Sequence, residues 1–156
     1  MAGSAGASGG DRVSRGAASG FTTIGALRLT LGVVALINAF TGAQAVLGAR
    51  SFFDDYPLGR GWVASLPPYN EHLTTDVGAF YLAFAVLLGW AAVRPQRALV
   101  LPLSGAWALF SIIHIAFHTG NLGGLGTGDA IVQTIGLAAV LAPSGLAAVM
   151  SRSLPP

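Results

Sequence analysis

The chain contains neither cysteine nor lysine. Without thiols there can be no disulfide, no thiolate metal site and no iron–sulfur cluster, so any metal would have to be held by imidazole, carboxylate or amide groups. Without lysine, all eight basic residues are arginine. Together with the abundant Ala and Gly, this is the codon signature of a GC-rich bacterial genome. Charge of either sign is scarce. Asp, Glu and Arg make up 9% of the 156 residues, where soluble domains carry roughly 25%. The arginines form no run, so nucleic-acid binding has no electrostatic footprint.

Apolar residues are plentiful, at 53% of the chain. A chain of this length makes one domain. A soluble fold could not cover itself with so few charges, whereas a lipid bilayer removes the need for a polar surface. Residues 1–20, rich in Gly, Ala and Ser with Asp11, Arg12 and Arg15, bury too little apolar surface to offset their ordering entropy. They read as a disordered cytoplasmic tail ahead of a membrane domain over residues 21–151. Within it, four apolar stretches at about 27–47, 73–93, 98–118 and 130–150 have the length that crosses a hydrocarbon core of roughly 30 Å at 1.5 Å per residue. The predicted fold is all-α, a four-transmembrane-helix antiparallel bundle with a long first outer loop. The segment Ala43-Gln44-Ala45 has the look of a signal-peptide cleavage site, but the apolar run continues through Val46 and Leu47 and is long enough to span.

Arginine placement sets the orientation. With the N-terminus inside, Arg12, Arg15, Arg28, Arg94, Arg97 and Arg152 face the cytoplasm and only Arg50 and Arg60 face out, as the positive-inside rule requires. The expectation is a multi-pass protein of the inner (plasma) membrane with both termini cytoplasmic. The link Arg94-Pro95-Gln96-Arg97 is short enough to force a hairpin. The outer loop over 48–70 carries Phe52, Phe53, Tyr56, Trp62 and Tyr69, aromatic residues suited to the headgroup region, and should lie on the membrane surface with a short helical turn. The Gly-rich connection over 120–128 reads as mobile. Its glycines make no phosphate loop, because no strand precedes them and no Lys follows. Pro102 and Pro143 fall within spans, which membrane bundles tolerate. Gly32, Gly42, Gly78, Gly105 and Gly136 also fall within spans, where small residues let helices approach closely.

Polar side chains gather at one depth. The second span opens with Glu71 and His72, with Asp76 four residues beyond His72. The third ends with His114 and His118, and the fourth opens with Asp129 and Gln133. Residues four apart share a helix face, and the alternating topology puts all three pairs at the outer end, with Gln44 there too and Asn38 deeper. Ionisable groups at this depth should face one another and not lipid, so a shared pocket is expected, with Glu71, His72, Asp76, His114, His118, Asp129 and Gln133 as candidate ligand-binding residues.

The spacing of His114 and His118 lets one helix present two imidazoles to one ion. With His72 or Glu71 added, the set suits a divalent metal such as zinc, copper or iron. Haem held by His72 and one histidine of the third span is a less favoured reading, and an organic ligand such as a lipid or quinone is a further one. The zincin motif fails, because Ile115 stands where its Glu belongs. Against all of these stands the plain alternative, in which the polar residues cap helices, anchor at headgroups and bond between helices.

Pro68-Tyr69-Asn70-Glu71-His72-Leu73, Asp76-Val77-Gly78-Ala79 and His114…Phe117-His118 resemble segments of small membrane proteins of actinobacteria. The overall pattern of four spans, long first outer loop and tight inner hairpin resembles the DoxX-like superfamily over about residues 24–150. That resemblance implies a four-helix membrane bundle, and some members of the superfamily are linked to quinone-coupled sulfur oxidation or redox complexes. No catalytic residue carries over. The function read from the sequence is therefore binding of a metal ion or small polar ligand in a His/carboxylate pocket at the outer face. The alternatives are a non-catalytic accessory subunit of a larger membrane complex, with a membrane-protein partner or a second copy of the chain, and a quinone- or metal-linked oxidoreductase.

Overall fold

The structure is a computed structural model that describes residues 8–154, with the side chains of residues 23–154. The tail expected over residues 1–20 lies outside the residues described with their side chains. Helix α1 (Ser8–Leu47) is followed by the short α2 (Ala49–Asp55), then α3 (Glu71–Val93), α4 (Arg97–Gly120) and α5 (Thr127–Met150). Among the described residues there is no strand. Four helical segments are long and apolar enough to cross a membrane: Thr23–Leu47, Glu71–Val93, Arg97–Gly120 and Thr127–Ser153. The predicted all-α four-helix bundle is the observed fold, and each predicted span falls inside one of these segments. The surface agrees with a bilayer environment. Leu29, Leu36, Phe40, Val86 and Val93 are all more than 60% exposed, which water would penalise at about 25 cal/mol per Å² and lipid does not. The chain is a multi-pass membrane protein.

The helix boundaries have local causes. Asn70 sits in extended backbone ahead of α3 and its side-chain oxygen accepts from the Leu73 amide at 3.0 Å, a side-chain cap on one of the orphan donors of the first turn. Pro95 lies in the three-residue link 94–96 between α3 and α4. Its preceding residue is pushed out of helical backbone, so α3 must end there and the two helices fold back on each other. Pro102 and Pro143 lie inside α4 and α5, as expected. The expected helical turn in the long connection is α2. The connection after α4 forms a 3₁₀ turn over Leu122–Gly124, and its Gly124 presses on the loop above α3. A Cβ at Gly124 would stand 2.7 Å from the Ser65 carbonyl oxygen.

The helices pack in two pairs, α1 on α3 and α4 on α5, and α1 also touches α5. The α1–α3 crossing is made by glycine. A Cβ on Gly42 would lie 2.7 Å from the Gly78 carbonyl oxygen, and one on Gly78 would lie 2.8 Å from Ala45 Cβ. Inside a bilayer, apolar side chains gain nothing by leaving lipid for protein, so close backbone approach and its dispersion contacts must supply the attraction. Of the five glycines expected to do this, only Gly42 and Gly78 do. Gly32, Gly105 and Gly136 have nothing within 4 Å of a Cβ position. The α3–α4 contact is the opposite kind. Large rings meet across it, Tyr81 and Phe84 against Trp107 and Phe80 against Phe110, at centroid distances of 5.1–6.0 Å, and hold the backbones apart.

These two contacts divide the bundle along its length. At the hairpin end the interior is filled mainly by Leu27, Leu31, Phe84, Leu88, Val100 and Leu103, all at most 9% exposed, with Ser104 and Ser144 buried among them. At the loop end, where rings hold α3 and α4 apart, it is open. Trp107 lies at the boundary, 2% exposed, with its indole Nε1 donating to the Val140 carbonyl at 3.3 Å.

Replacing Gly78 by Val should therefore wedge α1 from α3. Overpacking of this kind costs about 1–3 kcal/mol, read as a lower melting temperature in detergent. Gly105→Ala, at a helical site with open space, should melt no lower than the parent and gain up to about 1 kcal/mol.

Candidate functional site

The space at the loop end is a cavity of about 510 Å³, within the range of about 300–1,000 Å³ of small-molecule sites. Each long helix contributes one stripe of side chains at helical spacing. From α3 come Leu73, Thr74, Val77 and Tyr81; from α4, Trp107, Phe110, Ser111, His114 and His118; from α1, Ile37, Asn38 and Thr41; from α5, Gln133, Leu137 and Val140. The 48–70 connection roofs it with Phe53, Tyr56, Trp62 and Leu66. The lining is largely aromatic and aliphatic. Among the described residues it includes no carboxylate and no arginine.

The α4 stripe is a continuous column of rings. Trp107 and Phe110 lie 5.2 Å apart, Phe110 and His114 stack at 5.3 Å with 20° between planes, and His114 meets His118 edge-on at 4.5 Å. Both imidazoles are half-buried, so they sit at the mouth of an apolar chamber. Gln133, 4% exposed, is the polar neighbour of His118 from α5. Deeper in, Asn38 is fully buried and donates its side-chain Nδ2 to the Val34 carbonyl at 2.8 Å. Its Oδ1 has no partner within the protein, and neither has the hydroxyl of Ser111.

Three of the seven sequence-predicted residues therefore meet, namely His114, His118 and Gln133. The other four do not join them. At about 100° per residue along a helix, the α3 stripe that faces the cavity puts His72 on the opposite side and Glu71 and Asp76 on its two flanks. All three are exposed, and His72 Nε2 pairs with Asp76 Oδ2 at 3.3 Å on that outer face. Asp129 is engaged elsewhere. Its Oδ1 accepts from Arg60 Nη1 at 2.5 Å and from Trp62 Nε1 at 2.9 Å. The four-ligand metal set of His72, Glu71, His114 and His118 is thus not assembled, and among the described residues no three His, Asp or Glu side chains stand close enough together to hold a metal ion. Haem ligation shared by His72 and a histidine of α4 lacks its geometry for the same reason. The residues that sequence reasoning left out of the site are the aromatic and small polar ones. Their signal was present in the run Trp107, Phe110, Ser111, His114, His118, a single face at i, i+3, i+4, i+7, i+11, and in Asn38, a lone amide in an apolar stretch.

No family model, curated protein or solved structure matches the chain.

The roof is fastened to two helices. The Thr41 hydroxyl on α1 meets the Tyr56 hydroxyl at 3.3 Å, and Asp129 on α5 holds Arg60 and Trp62. Between these points the chain reverses through left-handed backbone at Leu58, Gly59 and Gly61 (φ 53°, 79° and 63°). A non-glycine residue such as Leu58 adopts this at a cost. Nearer α3, Arg50 lies over the Tyr69 ring and bonds Asp54 through Nε at 2.6 Å. That bond to Asp54 raises the Arg50 pKa, and burial does the same for the Tyr69 phenol.

Asp129→Ala removes the acceptor shared by both roof donors, Arg60 and Trp62. The ion pair is exposed and screened by solvent, so its loss costs little, and the Trp62 indole loses the acceptor it uses here. The expected outcome is a small loss of global stability with faster proteolytic cleavage between residues 57 and 62, measured by limited proteolysis of protein in nanodiscs. Unchanged cleavage would show that Asp129 does not hold the roof.

Proposed function

We propose that the protein binds a neutral, mainly apolar small molecule in the cavity at the loop end of its bundle. The observation that carries this is the lining itself: a chamber of about 510 Å³ walled by rings and aliphatic side chains, with a few polar groups and no formal countercharge among the described residues. Burial of an apolar body against such walls supplies the binding free energy, and the polar groups fix orientation. A charged ligand would lose its hydration there without gaining a partner. The sorting of arginines supports an orientation with the hairpin end cytoplasmic and the cavity in the outer leaflet, in the plasma membrane of a bacterial cell. In that orientation His114 and His118 lie on the headgroup side of the cavity. The protein is read as a binding module, because among the described residues the cavity lining sets no carboxylate and no third metal ligand beside its two imidazoles.

Native mass spectrometry of protein released from mild detergent, beside metal analysis of the same sample, tests this. A neutral amphiphile bound to the parent and lost from Ser111→Leu, a variant that extends a buried lining residue, is the expected result. Near-stoichiometric metal that disappears from a folded His114→Ala/His118→Ala double variant, with no organic molecule in either, would replace this reading with a two-histidine metal site.

A further inference from the structure

We infer that the cavity selects molecules bearing a hydroxyl group and seats that hydroxyl between Asn38 and Ser111. This deepens the ligand-binding reading above and rests on it. Asn38 is fully buried and Ser111 is 4% exposed, both line the cavity, and each carries a side-chain oxygen with no partner in the protein. Both stand nine residues before the loop-end terminus of their helix, Leu47 for α1 and Gly120 for α4, which places them at a common depth of about 13 Å.

The chemistry at this level is asymmetric. Asn38 Nδ2 is committed to the Val34 carbonyl. Turning the amide over would set two oxygens against each other, so Oδ1 is the atom left free, and it can only accept. Ser111 Oγ can donate or accept. A ligand hydroxyl satisfies both, giving its proton to Asn38 Oδ1 and receiving one from Ser111 Oγ. An ether, ester or ketone can answer Ser111 but leaves the Asn38 oxygen unpaired in an apolar surround. A carboxylate does the same and adds an uncompensated charge. A site built around a buried hydrogen bond rejects analogues that lack the donor far more strongly than it rejects changes in apolar bulk. The rings of Trp107 and Phe110, themselves 5.2 Å apart, precede Ser111 on the same helix by four residues and by one, so the carbon skeleton next to the hydroxyl meets aromatic faces.

The test uses three probes of nearly equal size: 4-heptylphenol, its methyl ether 4-heptylanisole, and 4-heptylcyclohexanol. Binding of each to the full chain in phosphatidylcholine nanodiscs is followed by tryptophan fluorescence as a function of probe mole fraction in the lipid. It is then compared with Asn38→Leu and Ser111→Ala, each checked for an intact melting transition. The ratio of variant to parent cancels differences in partitioning between probes. The phenol should bind the parent at least about fivefold more tightly than the ether, and the difference should collapse in either variant. If Asn38→Leu does not fold, Ser111→Ala alone decides. The cyclohexanol separates the sources of the hydroxyl: binding like the phenol marks a lipid alcohol as sufficient, and binding like the ether marks a phenol-type ring as required. Equal binding of phenol and ether to the parent, unaltered by the variants, overturns the hydroxyl assignment and leaves the cavity a general apolar site. Binding of none of the three overturns the ligand-binding reading itself.

Discussion

The close crossing of α1 and α3 at Gly42 and Gly78 is the contact on which the rest of the bundle depends. In lipid there is no hydrophobic effect to drive helices together, so cohesion comes from how near two backbones can be brought. Here one glycine carbonyl lies where the other glycine's side chain would be. That fixes the separation and register of the first pair of helices. The three-residue link then delivers α4 antiparallel to α3, and α5 returns against α4 and α1. Because the first pair is so tight, bulk has to be accommodated elsewhere, and the aromatic side chains of α3 and α4 take it up.

The same residues create the empty space. Trp107, Phe110, Tyr81 and Phe80 hold α3 and α4 apart. Towards the hairpin end that gap is closed by leucines, valine and phenylalanine. Towards the loop end the side chains are smaller or polar: Ser111, Thr74, Thr41 and Asn38. The gap there is roofed by a loop instead of being filled. A long connection with five aromatic residues, clamped from α1 through Tyr56 and from α5 through Asp129, covers apolar walls that would otherwise meet headgroups.

How much of this was legible in the sequence follows from what period and composition can encode. The four spans, the tight hairpin and the helical turn of α2 are local, and apolar length and proline announced them. The gathering of polar residues at one end was legible too, since it needs only alternating topology. Rotation about each helix axis was not. A span apolar on all sides gives no moment to say which face turns inward, so His72 and Asp76, polar and at the right depth, were read as inward when they bond each other outside. Asp129 was placed correctly along its helix, but its partner Arg60 lies 69 residues away in sequence, and no local pattern announces such a pairing. Glycine carried the same ambiguity, since five candidates looked alike and the crossing uses two.

The packed half of the bundle beneath Trp107 bears on permeation. The cavity reaches down to the level where the indole bonds the Val140 carbonyl, and below it Leu31, Phe84, Leu88, Val100 and Leu103 fill most of the interior, with the hydroxyls of Ser104, Ser144 and Ser151 the buried polar groups among the described residues. Moving an ion through that layer would mean stripping its hydration in a medium as apolar as the lipid around it. A molecule bound in the proposed cavity would therefore enter and leave at the loop end, from the same half of the bilayer, because the way to the hairpin end is filled by side chains.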